Sequence, residues 1–161
     1  GILGINHIGL SVRDLEQSLA FYHKVSGFEV IRRQQVNNNS QADTLFGSAQ
    51  ISYKTALLKA PNMLFEITEF AHNRDLPARE MPVQGPGMTH TCFQSPMSQP
   101  GYDKFVKNGI RLVSRGEKPA GLGNPDISYS YGYDPEGNLL EMEQVNPSAF
   151  GIADKDVKHA M

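Results

Sequence analysis

The sequence predicts an α+β protein made of two copies of a β-α-β-β-β module. Short segments of period-two apolar alternation recur along the chain, a helical stripe follows the first strand of each half, and turn residues fall at corresponding places. Residues 5–12 predict a strand because Ile8, Leu10 and Val12 alternate with His7, Gly9 and Ser11. Asp14, with Gln17 three positions on, suits a helix start; Leu15, Leu19, Tyr22 and Val25 form its apolar stripe and Gly27 ends it. Residues 28–36 return to strand character, and residues 50–59 and 63–70 supply two more strands, joined by a turn at Pro61-Asn62.

The second half repeats this order. Residues 88–94 predict a strand, 99–108 a short helix ended by Gly109, and 110–114, 127–133 and 139–145 three further strands. Between the last two strands Asp134-Pro135-Glu136-Gly137-Asn138 specifies a tight hairpin, since proline presets one turn angle and glycine accepts positive φ. The modules are therefore expected at 1–70 and 88–145, with a proline-, glycine- and charge-rich connector at 71–87 and a weakly patterned tail at 146–161.

At 161 residues the chain can bury a sizeable core without staples. With 39% hydrophobic and 20% charged residues and a formal charge of −2, it offers no broad attraction to nucleic acid or anionic lipid. A single cysteine, Cys92, excludes an intrachain disulfide and a thiolate zinc cluster, in keeping with a reducing, cytoplasmic setting. No apolar run approaches the roughly 20 residues that span a bilayer, and the opening GILGINHIGL has no charged lead-in to a signal-like core, so neither anchor nor leader is expected.

Alternation also shows what the sheet face away from the helices carries. Ile8, Phe65, Ile67, Phe93, Leu140 and Met142 are the core candidates, and the opposite positions hold His7, Gly9 and Ser11, then Leu64, Glu66 and Thr68, then His90, Cys92 and Gln94, then Leu139, Glu141 and Glu143. Each half thus presents one histidine from its first strand and one glutamate from its last. Imidazole and carboxylate suit zinc, iron, nickel, cobalt or manganese, and two carboxylates neutralise a dication. An octahedral ion held by four side chains keeps two positions for water or substrate. A lone histidine on a strand is more often a hydrogen-bonded neutral residue than a ligand, and it is the equivalent placement in two repeats that favours coordination. Glu66, set within Leu64-Phe65-Glu66-Ile67, is the carboxylate least compatible with a purely structural place. Glu69 and Glu143 read as solvated strand-end residues, Cys92 as a small buried filler and His23 as solvent-facing; His72 and His159 receive no role. Arg32, Arg33 and Arg74 are candidates for an anion contact, and Tyr129, Tyr131 and Tyr133 either wall a pocket or pack a sheet face.

In these residues the chain resembles the vicinal oxygen chelate superfamily of glyoxalases, bleomycin-resistance proteins and extradiol dioxygenases. The likeness rests on His7-Ile8-Gly9-Leu10-Ser11-Val12 with Asp14-Leu15 and Phe21-Tyr22, on Leu64-Phe65-Glu66-Ile67, on Met88-Thr89-His90-Thr91, and on the run from Asp134 to Glu141, and it covers residues 4–145. It implies paired modules forming a cupped eight-stranded mixed sheet, usually in a homodimer. It further implies one divalent ion held by His7, Glu66, His90 and Glu141, a small-molecule substrate and no organic cofactor. Members isomerise thiohemiacetals, epimerise acyl-thioesters, open catechols, add thiols to antibiotics or sequester drugs. Extradiol dioxygenases use two histidines and one carboxylate, so a ligand at Glu66 favours a glyoxalase-like lyase or isomerase, with a dioxygenase or a non-enzymatic drug-binding protein as alternatives. Glu66 or Glu141 would be the base, Glu141 preferred for its regular hairpin and the nearby charge of Glu143. The glutathione-holding arginine of bacterial glyoxalase I has no counterpart at Ile8 to Ser11, which puts glutathione use in question.

Overall fold

In a computed structural model, describing residues 1–2, 4–99, 101–113 and 118–150, the first module begins with strand β1 (His7–Val12). Along it Ile8, Leu10 and Val12 turn inward while His7, Gly9 and Ser11 stay exposed, the alternation the sequence specifies. Asp14 then caps helix α1 (Leu15–Ser26), its Oδ1 accepting the Gln17 amide at 2.9 Å, and Gly27 ends the helix at φ 74°. Leu15, Leu19, Tyr22 and Val25 are all buried, and Tyr22 lies edge-on to Phe21 and Phe65 at 5.1 and 5.0 Å between ring centroids. Strands β2 (Glu29–Val36), β3 (Tyr53–Lys59) and β4 (Leu64–Phe70) complete a four-stranded sheet in the order β1-β4-β3-β2, with β1 parallel to β4 and the other pairs antiparallel.

One element was not expected from the sequence. Residues 37–49 are polar and lack an apolar stripe, yet Ser40–Phe46 is a helix, α2. Asn39 caps it by accepting the Gln41 and Ala42 amides, and Gly47 closes it at φ 63°. Asp43 then accepts the Ile51 amide at 2.8 Å and Gln50 takes φ 59°, so β3 starts at Tyr53 rather than at residue 50. Asn39 before the run and Gly47 after it were the available signal.

Glu69 also departs from expectation. It is buried rather than solvated: one carboxylate oxygen accepts the Leu15 amide at 3.0 Å and the other accepts Arg74 Nε at 2.7 Å, fastening the start of α1 to β4. Burial works against its ionisation, but the Leu15 amide and the Arg74 guanidinium outweigh it and hold the carboxyl below its ordinary value of 4.5. A folded-state value below the unfolded one gives stability that is present above 4.5 and lost as the pH falls through the folded-state value. Glu69→Gln should therefore destabilise the protein by about 1–3 kcal/mol at neutral pH. Urea unfolding at pH 7 and again below pH 4 should show that deficit shrinking on acidification; an unchanged deficit would mean the charge is not what matters.

The second module contains β5 (His90–Pro96), α3 (Gly101–Lys107), β6 (Arg111–Leu112), β7 (Ile127–Tyr133) and β8 (Leu139–Val145). Its sheet has the order β5-β8-β7-β6, with β5 parallel to β8, the same plan as the first. The expected eight strands are thus present as two mixed sheets of four. Phe93, Phe105, Leu140 and Met142 are buried between α3 and the sheet, Phe93 meeting Phe105 at 5.8 Å. Asp134 organises the β7–β8 hairpin by accepting the Glu136 and Asn138 amides at 2.9 and 2.8 Å, and Gly137 takes φ 88°. The chain divides into two compact units with the change at Ala78, the second also including Lys24–Gly27. Residues 78–81 lie on the second: Tyr133 Oη donates to the Met81 carbonyl at 2.8 Å, Arg111 pairs with Glu80, and a side chain at Gly137 would meet Ala78. Of the expected tail, Pro147–Phe150 forms a 3-10 turn; residues 151–161 with His159, and Ser114 of the expected strand 110–114, lie outside the described residues. No described helix is long and apolar enough to cross a membrane.

Candidate metal centre

In the second module the register sets Cys92, Glu141 and Tyr131 side by side on β5, β8 and β7, with His90 two residues before Cys92 on the same face. His90 Nε2 and Glu141 Oε2 are 3.0 Å apart, and the His90 ring stands edge-on to Tyr131 at 5.3 Å. The Tyr131 hydroxyl donates to Glu141; desolvation first, and this hydrogen bond second, push the phenol up to about 12. Cys92 also donates to Glu141. It is open to solvent rather than a buried filler, yet desolvation of the thiol itself, followed by the charges of Glu141 and Glu143, pushes it up to about 12. It is therefore a neutral donor near pH 7, not a thiolate nucleophile. The buried Glu141 carboxylate thus gathers the Tyr131 hydroxyl and the Cys92 thiol as donors beside His90 Nε2, and Glu143 is separately engaged by Gln94 at 2.7 Å.

In the first module Glu66 pairs in register with Gly9, and His7 lies two residues away on that face. A methyl group at Gly9 would meet nothing within 4 Å, so the side-chain-free position leaves open space beside the carboxylate. Glu66 is half-buried and makes no hydrogen bond or ion pair among the described residues. It lines a cleft of about 90 Å³ together with Arg32, Gln34, Thr55 and Leu57. Of the three arginines considered for an anion, Arg33 is paired with Glu16 and Arg74 with Glu69; Arg32 is the one at the cleft.

The structure therefore brings His90 and Glu141 into contact and places His7 and Glu66 on one sheet face. Among the described residues, no group of three or more metal-type side chains is drawn around one point. The chemistry of each pair nevertheless fits a divalent ion. His7 Nδ1 is 3.1 Å from Asn6 Oδ1, and His90 Nδ1 is 2.8 Å from Thr89 Oγ1, so in both modules the preceding residue engages Nδ1 and turns Nε2 to the ligand side, where that of His90 meets the Glu141 carboxylate. Neither Asn6 nor Thr89 stood out in the sequence; equal spacing before two candidate ligands was the signal. Thr89→Val and Asn6→Ala should each weaken manganese binding by about tenfold or more, with little change in thermal stability, as read by calorimetric titration. Unchanged affinity in both would remove this supporting shell.

Residues 4–142 match the model of the Glyoxalase/Bleomycin resistance protein/Dioxygenase superfamily, and the chain belongs to that family. A virulence protein of Salmonella typhimurium is 29% identical over 143 residues, covering 87% of this chain and 83% of the relative. Among solved structures, a glyoxalase family protein of Bacillus cereus aligns with TM-score 0.75 at 17% identity, covering 91% of this chain and 96% of that one. The fosfomycin resistance protein FosX of Listeria monocytogenes aligns with TM-score 0.60 at 18% identity, covering 98% and 99%. A mutant of that FosX, complexed with Mn(II) and 1S,2S-dihydroxypropylphosphonic acid, aligns with TM-score 0.53 at 19% identity, covering 92% and 97%. These structures share the fold.

Proposed function

We propose that the protein is a metal-dependent lyase or isomerase of the glyoxalase type, acting on a small oxygenated molecule by moving a proton next to a carbonyl. In this reading His90 and Glu141 hold a divalent ion and His7 and Glu66 complete the ligand set, within a homodimer. The observation that carries it is the Glu141 carboxylate, buried and ringed by His90, Tyr131 and Cys92. A carboxylate buried in such a place needs donors or a cation, and the donor set here is nitrogen and oxygen of the kind divalent metals take.

The ion, when bound, supplies Lewis-acid stabilisation of negative charge developing on a substrate oxygen. Glu141 takes the proton from the carbon beside the carbonyl and returns it to the adjacent carbon. Tyr131 and Cys92, both neutral near pH 7, orient that carboxylate without competing for its proton. Glu66, on the first module, is the second carboxylate, and the space over Gly9 leaves room for the substrate beside it.

The test is proton exchange. Protein loaded with manganese, nickel or zinc and incubated in deuterium oxide with short α-hydroxy and α-keto carbonyl compounds should wash deuterium into the carbon next to the carbonyl. Chelation of the metal should stop it. Oxygen consumption with a catechol on ferrous loading, with no exchange on any metal, would instead assign ring cleavage and contradict the proposal.

A further inference from the structure

We infer that Arg32 is the substrate-orienting cation of this site, and that the substrate is a short oxyacid whose anionic end sits on Arg32 while its reacting carbon lies at Glu66. The inference rests on the reading of Glu66 as part of the reaction centre. Arg32 stands on β2 in register with Leu57 of β3, which is in register with Glu66 of β4, so the three occupy one row across the sheet and line one cleft. With strands about 4.8 Å apart, the Arg32 and Glu66 backbones are roughly 10 Å from each other. Among the described residues no Arg32–Glu66 ion pair is present, so both groups face the cleft between them. The gap is floored by Leu57, an apolar rung, with Gln34 and Thr55 alongside.

The local chemistry is therefore ordered: a cation with five N–H donors at one end, an apolar spacer, and an unpartnered carboxylate at the other. A ligand complementary to that order carries a carboxylate or a phosphorus oxyanion, a stem of a few carbons, and an oxygenated carbon. Charge points the same way. Two glutamates balance a dication, leaving the positive charge of Arg32 to be met by the ligand. A register irregularity between Val30 and Arg32 sets which side chain of β2 reaches this face: Ile31 is the extra residue, and Arg33, on the other face, is taken by Glu16.

The experiment titrates the full-length protein, with and without manganese, using butyrate, propylphosphonate and the neutral comparator butyramide. Arg32→Gln should weaken both anions by about tenfold or more, Arg32→Lys should recover part of the loss, and Arg33→Gln should stay within about twofold. Butyramide should be indifferent to all three. In the metal-free protein, Glu66→Gln should tighten anion binding by removing a like charge. Preference for butyrate or for propylphosphonate then assigns the carboxylic or the phosphorus oxyacid. Equal anion binding by wild type and Arg32→Gln, or no anion binding by wild type, overturns the inference. Manganese binding is measured in the same samples: an Arg32-dependent anion site in a protein that takes up no metal would leave this inference standing while the metal-centre reading falls.

Discussion

Replacing Glu141 with glutamine is expected to lower turnover by about 10²–10⁴-fold while leaving the protein folded, because the amide keeps the shape but loses the basicity. The same change removes the negative charge that His90, Tyr131 and Cys92 converge upon. Tyr131 and Cys92 should then titrate closer to their ordinary values, since Glu141 raises both. An ultraviolet titration of tyrosine ionisation reads this without any substrate. The comparison that matters is Glu66→Gln. If Glu141 is the base, both variants lose metal affinity, but only Glu141→Gln abolishes solvent exchange at the carbon next to the carbonyl once saturating metal is supplied. The opposite result would transfer the base to Glu66.

A larger effect on folding is expected from Tyr22→Ala. The side chain is wholly buried and lies edge-on to Phe21 and to Phe65 of β4. Truncation leaves a cavity under the sheet and should destabilise the protein by about 3–5 kcal/mol, a large share of the total stability of an ordinary domain. Because Phe65 immediately precedes Glu66, the loss should reach the cleft, with amide exchange along β4 accelerating more than along β8. Exchange rising equally in both modules would show that they unfold as one unit. Tyr22→Phe, keeping the ring, should recover most of the stability.

What could be read in advance followed the strength of local signals. Period-two alternation from His7 to Val12 and from Leu139 to Val145 located the strands well, and the Asp134 hairpin formed through the side chain that turn chemistry singles out. The helix Ser40–Phe46 escaped because it is set by caps at Asn39 and Gly47 rather than by an apolar stripe. Glu69 was misjudged because sequence shows a carboxylate at a strand end but not the Leu15 amide, 54 residues away, that it satisfies. That His7 shares a sheet face with Glu66, and His90 with Glu141, was legible because alternation assigns faces. The donors to Glu141 were legible only in part, since Tyr131 and Cys92 join it through a register between three strands that no local pattern fixes.

The central claim is that His7, Glu66, His90 and Glu141 hold one divalent ion, and elemental analysis with calorimetric titration of wild type and the four single variants tests it most directly. The account predicts one manganese, nickel, cobalt, zinc or iron ion per chain in protein purified without chelator. Affinity should fall in each of His7→Ala, Glu66→Gln, His90→Ala and Glu141→Gln, by at least the roughly tenfold lost with a supporting partner. Protein that takes up no stoichiometric metal, or that binds it equally well after His7→Ala and Glu66→Gln, would contradict it.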